Sequence, residues 1–179
     1  NSITGNAIGA YLTSSGTDVD DMTCNWWGTT DPLVVDTLID DGIAFLPFDN
    51  VGTDNSPAKG YQPVPSACNG VGPVRVYSDN AETNLVASYI TIQSAIDAPS
   101  TLAGYVVRVD AGTYAENLSV DKALDIRGPN YGISPNSGSR NPEAIIVPSF
   151  NEPDPNSVNS AAIVYLDAAA TGTSFQGFT

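Results

Sequence analysis

The sequence contains no histidine among its 179 residues, and this absence excludes several common kinds of active site. Ser-His-Asp triads, Cys-His pairs and the most common zinc sites all need an imidazole. Lysine and arginine are scarce as well, 6 in total against 20 aspartates and glutamates, so the net charge is −14. Since binding to nucleic acid or anionic membranes needs cationic groups, we expect neither partner, and the acidity itself suits solubility.

Long apolar runs are also absent. No window approaches the roughly 18 apolar residues of a membrane span, although 41% of the residues are hydrophobic, enough for a buried core. No signal peptide opens the chain, because Asn1-Ser2-Ile3-Thr4-Gly5 is typical of the middle of a domain. We therefore expect a fragment or a processed product of a longer protein, located outside the cell or at the cell surface.

Cysteine occurs twice, at Cys24 and Cys68. In a secreted protein these residues can pair, and closing so long a loop stabilises a fold by roughly 4 kcal/mol in the chain-entropy model. The alternative is two separate buried thiols. The rest of the composition is typical of a secreted chain and favours the disulfide.

Composition divides the chain into three segments, 1–50, 51–72 and 73–179. The first contains short β-type runs separated by Asn and Gly, which tolerate positive φ. The second is rich in Pro, Gly, Ser and Asn, a composition typical of a linker. The third changes period and contains one short helix followed by many short strands.

The helix is predicted near 91–98, with Thr91 as its N-cap and Pro99 as its end. Its apolar residues Ile92, Ala95 and Ile96 share one face. Alternation in the strands places Val107 with Val109, Leu124 with Ile126, and Ile145 with Val147 on inward faces. The strand candidates are Val106–Val109, Leu118–Val120, Leu124–Arg127, Ala144–Val147, Ala161–Leu166 and Ser174–Phe178.

Strands this short, with unequal loops and one helix, do not suit a doubly wound sheet, which needs a helix after nearly every strand. An antiparallel sandwich needs regularly spaced hairpin turns, but Asp41-Gly42 and Asn69-Gly70 do not lie between clear strands. A solenoid remains, because stacked coils bury a continuous apolar face that no single coil buries alone.

Residues 91–128 resemble the start of the pectin-lyase-like β-helix superfamily. The resemblance implies an all-β, right-handed parallel β-helix, with the helix near 91–98 as an N-terminal cap and 73–179 as the first coils. It also implies a turn at Gly112-Thr113-Tyr114. The matching runs are Thr91-Ile92-Gln93-Ser94-Ala95-Ile96, Gly112-Thr113-Tyr114-Ala115-Glu116-Asn117 and Lys122-Ala123-Leu124-Asp125-Ile126-Arg127-Gly128.

Residues 1–50 are similar to the other end of the same fold, through Asn25-Trp26-Trp27-Gly28 and the later Phe45-Leu46-Pro47-Phe48. The resemblance implies a closing coil covered by Trp26 and Trp27, since a last coil otherwise leaves strand edges unpaired. The alternative is that both are ordinary core aromatics. The chain thus has the order end, linker, beginning, which fits either a junction between tandem β-helix domains or the repeat of a head-to-tail fibre.

Catalytic residues of the superfamily are not found, so no enzymatic activity is expected. Polygalacturonase-like members need a Gly-His-Gly, and the echo of a pectin methylesterase-like signature at Val35-Asp36-Thr37-Leu38 is attributed to chance. The acidic pairs Asp20-Asp21 and Asp40-Asp41 are unsuitable as dyads, because neighbours on a strand face opposite ways.

Calcium is a better use of the acidic residues, and Asp18, Asp20 and Asp21 form the candidate site on a loop. The run lacks the spacing of an EF-hand, and simple solvated charge is the alternative. Glu116 and Asn117 are expected to make turn and ladder hydrogen bonds. Asn117-Leu118-Ser119 also matches the N-glycosylation pattern. No other cofactor is expected.

The leading functional prediction is a secreted structural or adhesive β-helix module that associates with itself head to tail or with neighbouring β-helix domains. One alternative is a fragment of a polysaccharide-processing enzyme whose active coils lie outside this segment. A second alternative is a carbohydrate-binding module, with sugar contacts made by the loops.

Overall fold

A computed structural model describes residues 2–5, 10, 20–40, 43–55, 57–59, 68–136, 139–149, 153–154 and 157–179. The chain divides into two compact units, Asn1–Gly72 (unit 1) and Pro73–Thr179 (unit 2), each described by itself. Unit 2 begins at the residue where the third predicted segment begins. The assignment of the segments to the ends of β-helix stacks stays a prediction.

The protein is mainly β, with 33% strand and 10% helix, which confirms the all-β prediction. The sheets formed by the described residues are small and mixed, five of them two-stranded and one five-stranded. The described residues contain no continuous solenoid.

The described part of unit 1 contains four short strands and one helical turn. Strands β1 and β2 pair in parallel, and isolated parallel bridges join Ser2 to Trp26 and Ala10 to Ile39. Strands β3 and β4 pair antiparallel. The elements are β1 (Asp20–Asp21), α1 (Pro32–Asp36), β2 (Ile43–Ala44), β3 (Phe48–Asp49) and β4 (Cys68–Gly70).

Helix α1 follows directly from its local sequence. The Asp31 carboxylate accepts a hydrogen bond from the Leu33 N–H at 2.9 Å, and Pro32 occupies the first helical position, where no amide donor is needed. The single turn buries Val35 and leaves Leu33 half-exposed. The buried apolar residues of unit 1 are Trp27, Val35, Ile43, Phe45 and Phe48.

Eleven strands, one α-helix and one 3-10 helix are described in unit 2. The elements are β5 (Val74–Tyr77), β6 (Leu85–Tyr89), α2 (Ile92–Asp97), β7 (Val106–Val109), β8 (Gly112–Ala115), β9 (Leu118–Val120), β10 (Asp125–Arg127), β11 (Ala144–Val147), β12 (Pro153–Asp154), β13 (Ser157–Ala161), β14 (Val164–Leu166), the 3-10 helix Ala168–Ala170 and β15 (Ser174–Gln176).

The largest sheet has the strand order β15-β10-β7-β5-β6. Strands β7, β10 and β15 run parallel, whereas β5 pairs antiparallel with β7, and β6 pairs antiparallel with β5. The parallel register places Val107, Ile126 and Phe175 in one column. Because alternate residues of a strand share a face, this column forms one wall of the unit 2 core.

Two smaller parallel pairs complete the core. Strand β8 pairs with β11, and β9 pairs with β14. Their registers place Leu118 opposite Val164 and Val120 opposite Leu166. Each apolar residue of the earlier strand therefore lies beside an apolar residue of the later one.

Helix α2 confirms its local prediction. It begins after Thr91, whose hydroxyl accepts the Ser94 N–H at 3.1 Å. Ile92, Ala95 and Ile96 are all buried, so one face packs on the core as the spacing indicated. That this helix caps a stack stays a proposal.

Two strand predictions are wrong in detail. Ile145 is 38% exposed, whereas Ala144 is buried and Ile146 packs on the core, so the inward face of β11 is shifted by one residue. All four residues of β11 are apolar, so alternation could not choose between the faces. The predicted turn at Gly112-Thr113-Tyr114 is part of strand β8, with only Tyr114 buried.

Candidate functional site

The predicted calcium residues lie mostly outside what the structure describes. Asp18 is among the residues not described, and Asp20 is described only as backbone of β1. The exposed Asp21 carboxylate accepts the Thr23 N–H at 2.9 Å, and this hydrogen bond lowers the pKa of Asp21. Within the described part of the chain, no three acidic or cysteine side chains are grouped to hold a metal ion, and calcium stays a prediction.

Cys24 and Cys68 form a disulfide whose Cα atoms are 4.9 Å apart. This separation lies within the range of about 4.4 to 6.8 Å in which a bridge forms. Cys24 lies in the turn before Trp26, and Cys68 is the first residue of β4. The bond thus ties the tryptophan turn to a strand that lies 44 residues further along the chain.

The two tryptophans have different environments. Trp27 is 2% exposed, and its Nε1 has no hydrogen-bond partner in the described structure. Trp26 is half-buried and pairs with Ser2 through a parallel bridge. Trp27 is therefore a core residue of unit 1, and a capping role for either side chain stays a prediction.

The leading edge of unit 2 consists of the sides of β7 and β9 that face away from β10 and β14. Other parts of unit 2 cover this edge. Strand β5 pairs with β7. Helix α2 covers β9, because the Gln93 carboxamide accepts the Ser119 N–H at 2.8 Å and donates to the Ser119 carbonyl at 3.1 Å. One side chain thereby replaces the backbone of a neighbouring strand.

Glu116 fastens the same helix from outside. Its two carboxylate oxygens accept the N–H groups of Ile92 and Gln93 at 2.9 and 2.8 Å. These donors have no partner within the helix, since they belong to its first turn. We predicted that Glu116 makes turn hydrogen bonds and did not predict that it caps α2. The sequence signal for this cap is only an acidic residue far from the helix along the chain.

The opposite edge of unit 2, the trailing edge, consists of β14 and β15 on the sides away from β9 and β10. Apolar side chains at this edge are more exposed than their buried register neighbours on the preceding strands. Val120 is fully buried, but its register neighbour Leu166 is 50% exposed. Ile126 is fully buried, whereas Phe175 is only partly buried. The core of unit 2 thus continues to this edge without an apolar cover on Leu166.

Three arginines form a row across adjacent strands of the large sheet. Arg75 pairs in register with Arg108, and Arg108 with Arg127. Each lies beside a carboxylate: Arg75 makes two hydrogen bonds to Asp110, and Arg108 lies 3.9 Å from Glu82. The repeated pattern of arginine next to inward-facing Val or Ile is a sequence signal for this row that our prediction missed.

Arg127 is the most buried of the three, with 5% of its side chain exposed. It binds the Asp125 carboxylate at 2.6 Å and the Glu82 carboxylate at 2.9 Å. It also donates to the carbonyl and side-chain oxygens of Asn80 and lies 4.3 Å from the centre of the Tyr131 ring. Burial alone would lower the pKa of Arg127, but the hydrogen bonds to Asp125 and Glu82 outweigh it and raise that pKa. Arg127 therefore links strand β10 to the turn between β5 and β6.

Tyr114 is the other buried titratable group near this row. Its hydroxyl donates to the Asp110 carbonyl at 2.9 Å. Burial, followed by the charges of Asp110 and Glu116, raises the pKa of Tyr114 to about 12. The phenol is therefore neutral at physiological pH and serves as a hydrogen-bond donor.

Asn117, the acceptor of the N-glycosylation pattern, has both side-chain atoms engaged. Its amide nitrogen donates to the Ala162 carbonyl at 3.2 Å, and its oxygen accepts the N–H and hydroxyl of Ser149. These bonds link β8 and β9 to the chain between β11 and β14. Asn117 therefore makes side-chain hydrogen bonds to neighbouring parts of the chain, as predicted, and a glycan on its Nδ2 would have to fit beside the bond to Ala162.

Glu143 organises the chain around the last residues of unit 2. Its carboxylate accepts hydrogen bonds from Arg140, Thr179 and Asn130, and the shortest bond from each of these residues is 2.8 Å long. The bond from Arg140, then those from Thr179 and Asn130, lower the pKa of Glu143 to about 2 from its usual 4.5.

We expect Glu143 to make unit 2 sensitive to acid. Because the pKa is lower in the folded than in the unfolded state, the carboxylate stabilises the fold fully above about pH 4.5 and loses this contribution as the pH falls towards 2. Thermal unfolding from pH 6 to 2.5 should show the Tm advantage of the native protein over Glu143→Gln shrinking with pH. A constant difference would contradict this role.

The acidic pairs offer no described dyad. Asp41 and the side chain of Asp20 lie outside the described residues, so each pair is described at one side chain only.

Among the described residues no helix is both long and apolar enough to cross a membrane. Comparisons of the chain with protein-family models, curated proteins and solved structures found no match.

Proposed function

We propose that this chain is an extracellular structural module built from coils of a right-handed parallel β-helix of the pectin-lyase-like kind. The observation that carries the proposal is the repeated order of parallel pairs in unit 2. Strands β7, β8 and β9 are followed along the chain by β10, β11 and β14, and each pairs in parallel with its counterpart. A chain that meets its own earlier strands in the same order, always in parallel, winds as a solenoid.

Unit 1 supports the same proposal. Its parallel pairs also repeat in chain order. Ser2 pairs with Trp26, Ala10 with Ile39, and Asp20 with Ile43, and every pair is parallel. Parallel strands connected in this way do not form hairpins, since the chain has to cross over before it returns. Each unit thus contains two successive turns of the proposed winding, and β15 adds the start of a third in unit 2.

The two edges of unit 2 give the proposed stack a direction. The leading edge is covered by β5 and by Gln93 of α2, so further strands are blocked there. The trailing edge ends in the half-exposed Leu166 and the partly buried Phe175. A further coil on this edge would bury both side chains and extend the ladders of β14 and β15.

We take the partner at the trailing edge to be the first coil of a second copy, which includes the parallel bridges of Ser2 and Ala10. A contact between unlike surfaces repeats without closing and produces a rod or fibre. The stiffness of such a rod suits a stalk or an adhesive filament, a function that needs no catalytic residues.

Replacing Leu166 by proline tests this contact. Leu118 donates to the Ile163 carbonyl, and Asp167 donates to Val120. Alternation along β14 therefore turns the Leu166 N–H away from β9, and proline removes this donor without breaking the existing pair. We expect Leu166→Pro to stay monomeric at concentrations at which the native chain forms rods in light scattering and electron microscopy.

Leu166→Ala is the control, because it removes more apolar surface than proline does but keeps the N–H. We expect it to weaken association without abolishing it. A native chain that remains an isolated monomer at high concentration would exclude head-to-tail assembly.

Chemical assays separate the structural proposal from its rivals. We expect no product when the chain is incubated with acidic polysaccharides with or without calcium. A hydrolysis or elimination product would overturn the structural proposal. Binding on a glycan array without any product would favour the carbohydrate-binding alternative.

A further inference from the structure

The segment 51–72 has the composition of a spacer, but its two ends are fastened to the same place in unit 1. Strand β3 lies immediately before it, and β4 lies near its end. These strands pair antiparallel, with Phe48 opposite Gly70 and Asp49 opposite Cys68. The chain therefore returns at Cys68 to the point that it left at Asp49.

Close packing fixes both ends. At the start, the buried Asp49 carboxylate accepts the Val51 and Gly52 N–H groups, and Gly52 lies against the Trp26 indole, where an added methyl group would overlap the ring. At the end, Gly70 lies against the Phe48 ring in the same way. Side chains larger than hydrogen do not fit at either glycine.

The disulfide closes the same base covalently. Cys68 belongs to β4, and Cys24 donates its N–H at 2.9 Å to the Pro47 carbonyl, next to β3. The Cys24 and Cys68 Cα atoms are 4.9 Å apart. A ladder of two residue pairs alone is weak, so the covalent bond is the stronger of the two fastenings.

We infer that the chain between β3 and β4, called the excursion below, is closed at its base within unit 1, and that the covalent joint to unit 2 is the short stretch Val71–Gly72. The disulfide acts as a redox-controlled clasp: while it is intact, the length of the excursion does not affect the distance that the joint allows between the units. An external dithiol that reduces the bond is itself oxidised to a disulfide, Cys24 and Cys68 become thiols, and the excursion is added to the joint. The inference uses contacts of unit 1 only and does not depend on the proposed β-helix function.

Insertions of ten Gly/Ser residues test the clasp. One is placed between Ala58 and Lys59, inside the excursion, and a matched one between Val71 and Gly72. Fluorophores on unnatural amino acids at the exposed Thr30 and Ala103 report the distance between the units without using cysteine. The insertion after Val71 should lengthen and broaden the distance distribution, because ten Gly/Ser residues span on the order of 15–20 Å end to end, whereas the insertion after Ala58 should leave the distribution unchanged.

An equal lengthening by both insertions in the oxidised protein would overturn the inference, because the segment would then be an ordinary spacer. The redox part is tested in the Cys24→Ser/Cys68→Ser variant, in which the insertion after Ala58 should lengthen the distance as well. Should the distance stay unchanged in that variant, β3 and β4 suffice to close the excursion, and redox control is wrong.

Discussion

Replacing Arg127 by methionine should destabilise unit 2 by about 3 kcal/mol, the lower part of the range for breaking a buried ion pair. Methionine fills a similar volume but leaves the carboxylates of Asp125 and Glu82 without their shared cation. The Asp125 Oδ1 is already buried without a partner among the described residues. Water therefore cannot readily hydrate the Asp125 carboxylate once the arginine is removed. The turn between β5 and β6 should also detach, since Asn80 loses its bonds to Arg127.

Arg108→Met is the control for this experiment. Arg108 occupies the neighbouring position in the same row, but its contact to Glu82 is 3.9 Å long and its side chain is 27% exposed. A pair of this kind contributes less than about 1 kcal/mol. Hydrogen exchange of the amides in β7 and β10 measures both variants. Similar losses for Arg108→Met and Arg127→Met would contradict the special role of the buried arginine.

Removing the disulfide with Cys24→Ala and Cys68→Ala should destabilise unit 1 by about 4 kcal/mol, because the unfolded chain regains the entropy of a loop of 44 residues. Both tryptophans of the protein lie in unit 1, so tryptophan emission during urea unfolding reports this unit alone. We expect the urea midpoint of that transition to fall sharply, while hydrogen exchange in β7 and β10 of unit 2 stays the same.

Reduction of the native chain is the control for the alanine variant. Dithiothreitol should lower the urea midpoint of the native protein towards that of the variant and should leave the variant unchanged. Equal midpoints for the oxidised and reduced native protein would mean that the contacts of Phe48 and Gly70 alone hold β4 in place.

Local signals predicted several elements correctly. Helix α2 was recognisable from Thr91 and from the spacing of Ile92, Ala95 and Ile96, because capping and amphipathicity act within one or two turns. Strand β7 was recognisable from Val107 and Val109 on one face. Strand β11 shows the limit: its residues are apolar on both faces, so the sequence contained no alternation from which to choose the inward one.

The candidate sites depended more strongly on distant partners. Gln93 and Ser119 lie 26 residues apart, and Arg127 and Glu82 lie 45 apart. A glutamine side chain that replaces a strand, or an arginine that holds a turn, has no local pattern in the sequence. Glu82 meets Arg127 only because β5 pairs with β7 and β7 pairs with β10, and Gln93 meets Ser119 only because α2 packs against β9.

The amino-acid sequence alone was sufficient for the mainly β class, the position of helix α2 and most strand positions in unit 2, because these depend on neighbours a few residues away. Only the tertiary structure decided which strands pair, that Glu116 caps α2, that Arg127 is the buried cation of its row, and that Cys24 meets Cys68. The physical reason is that partner choice is a competition among many distant, individually weak contacts. That competition is decided by strand register and by burial of the shared core, and composition or spacing alone does not reveal its result.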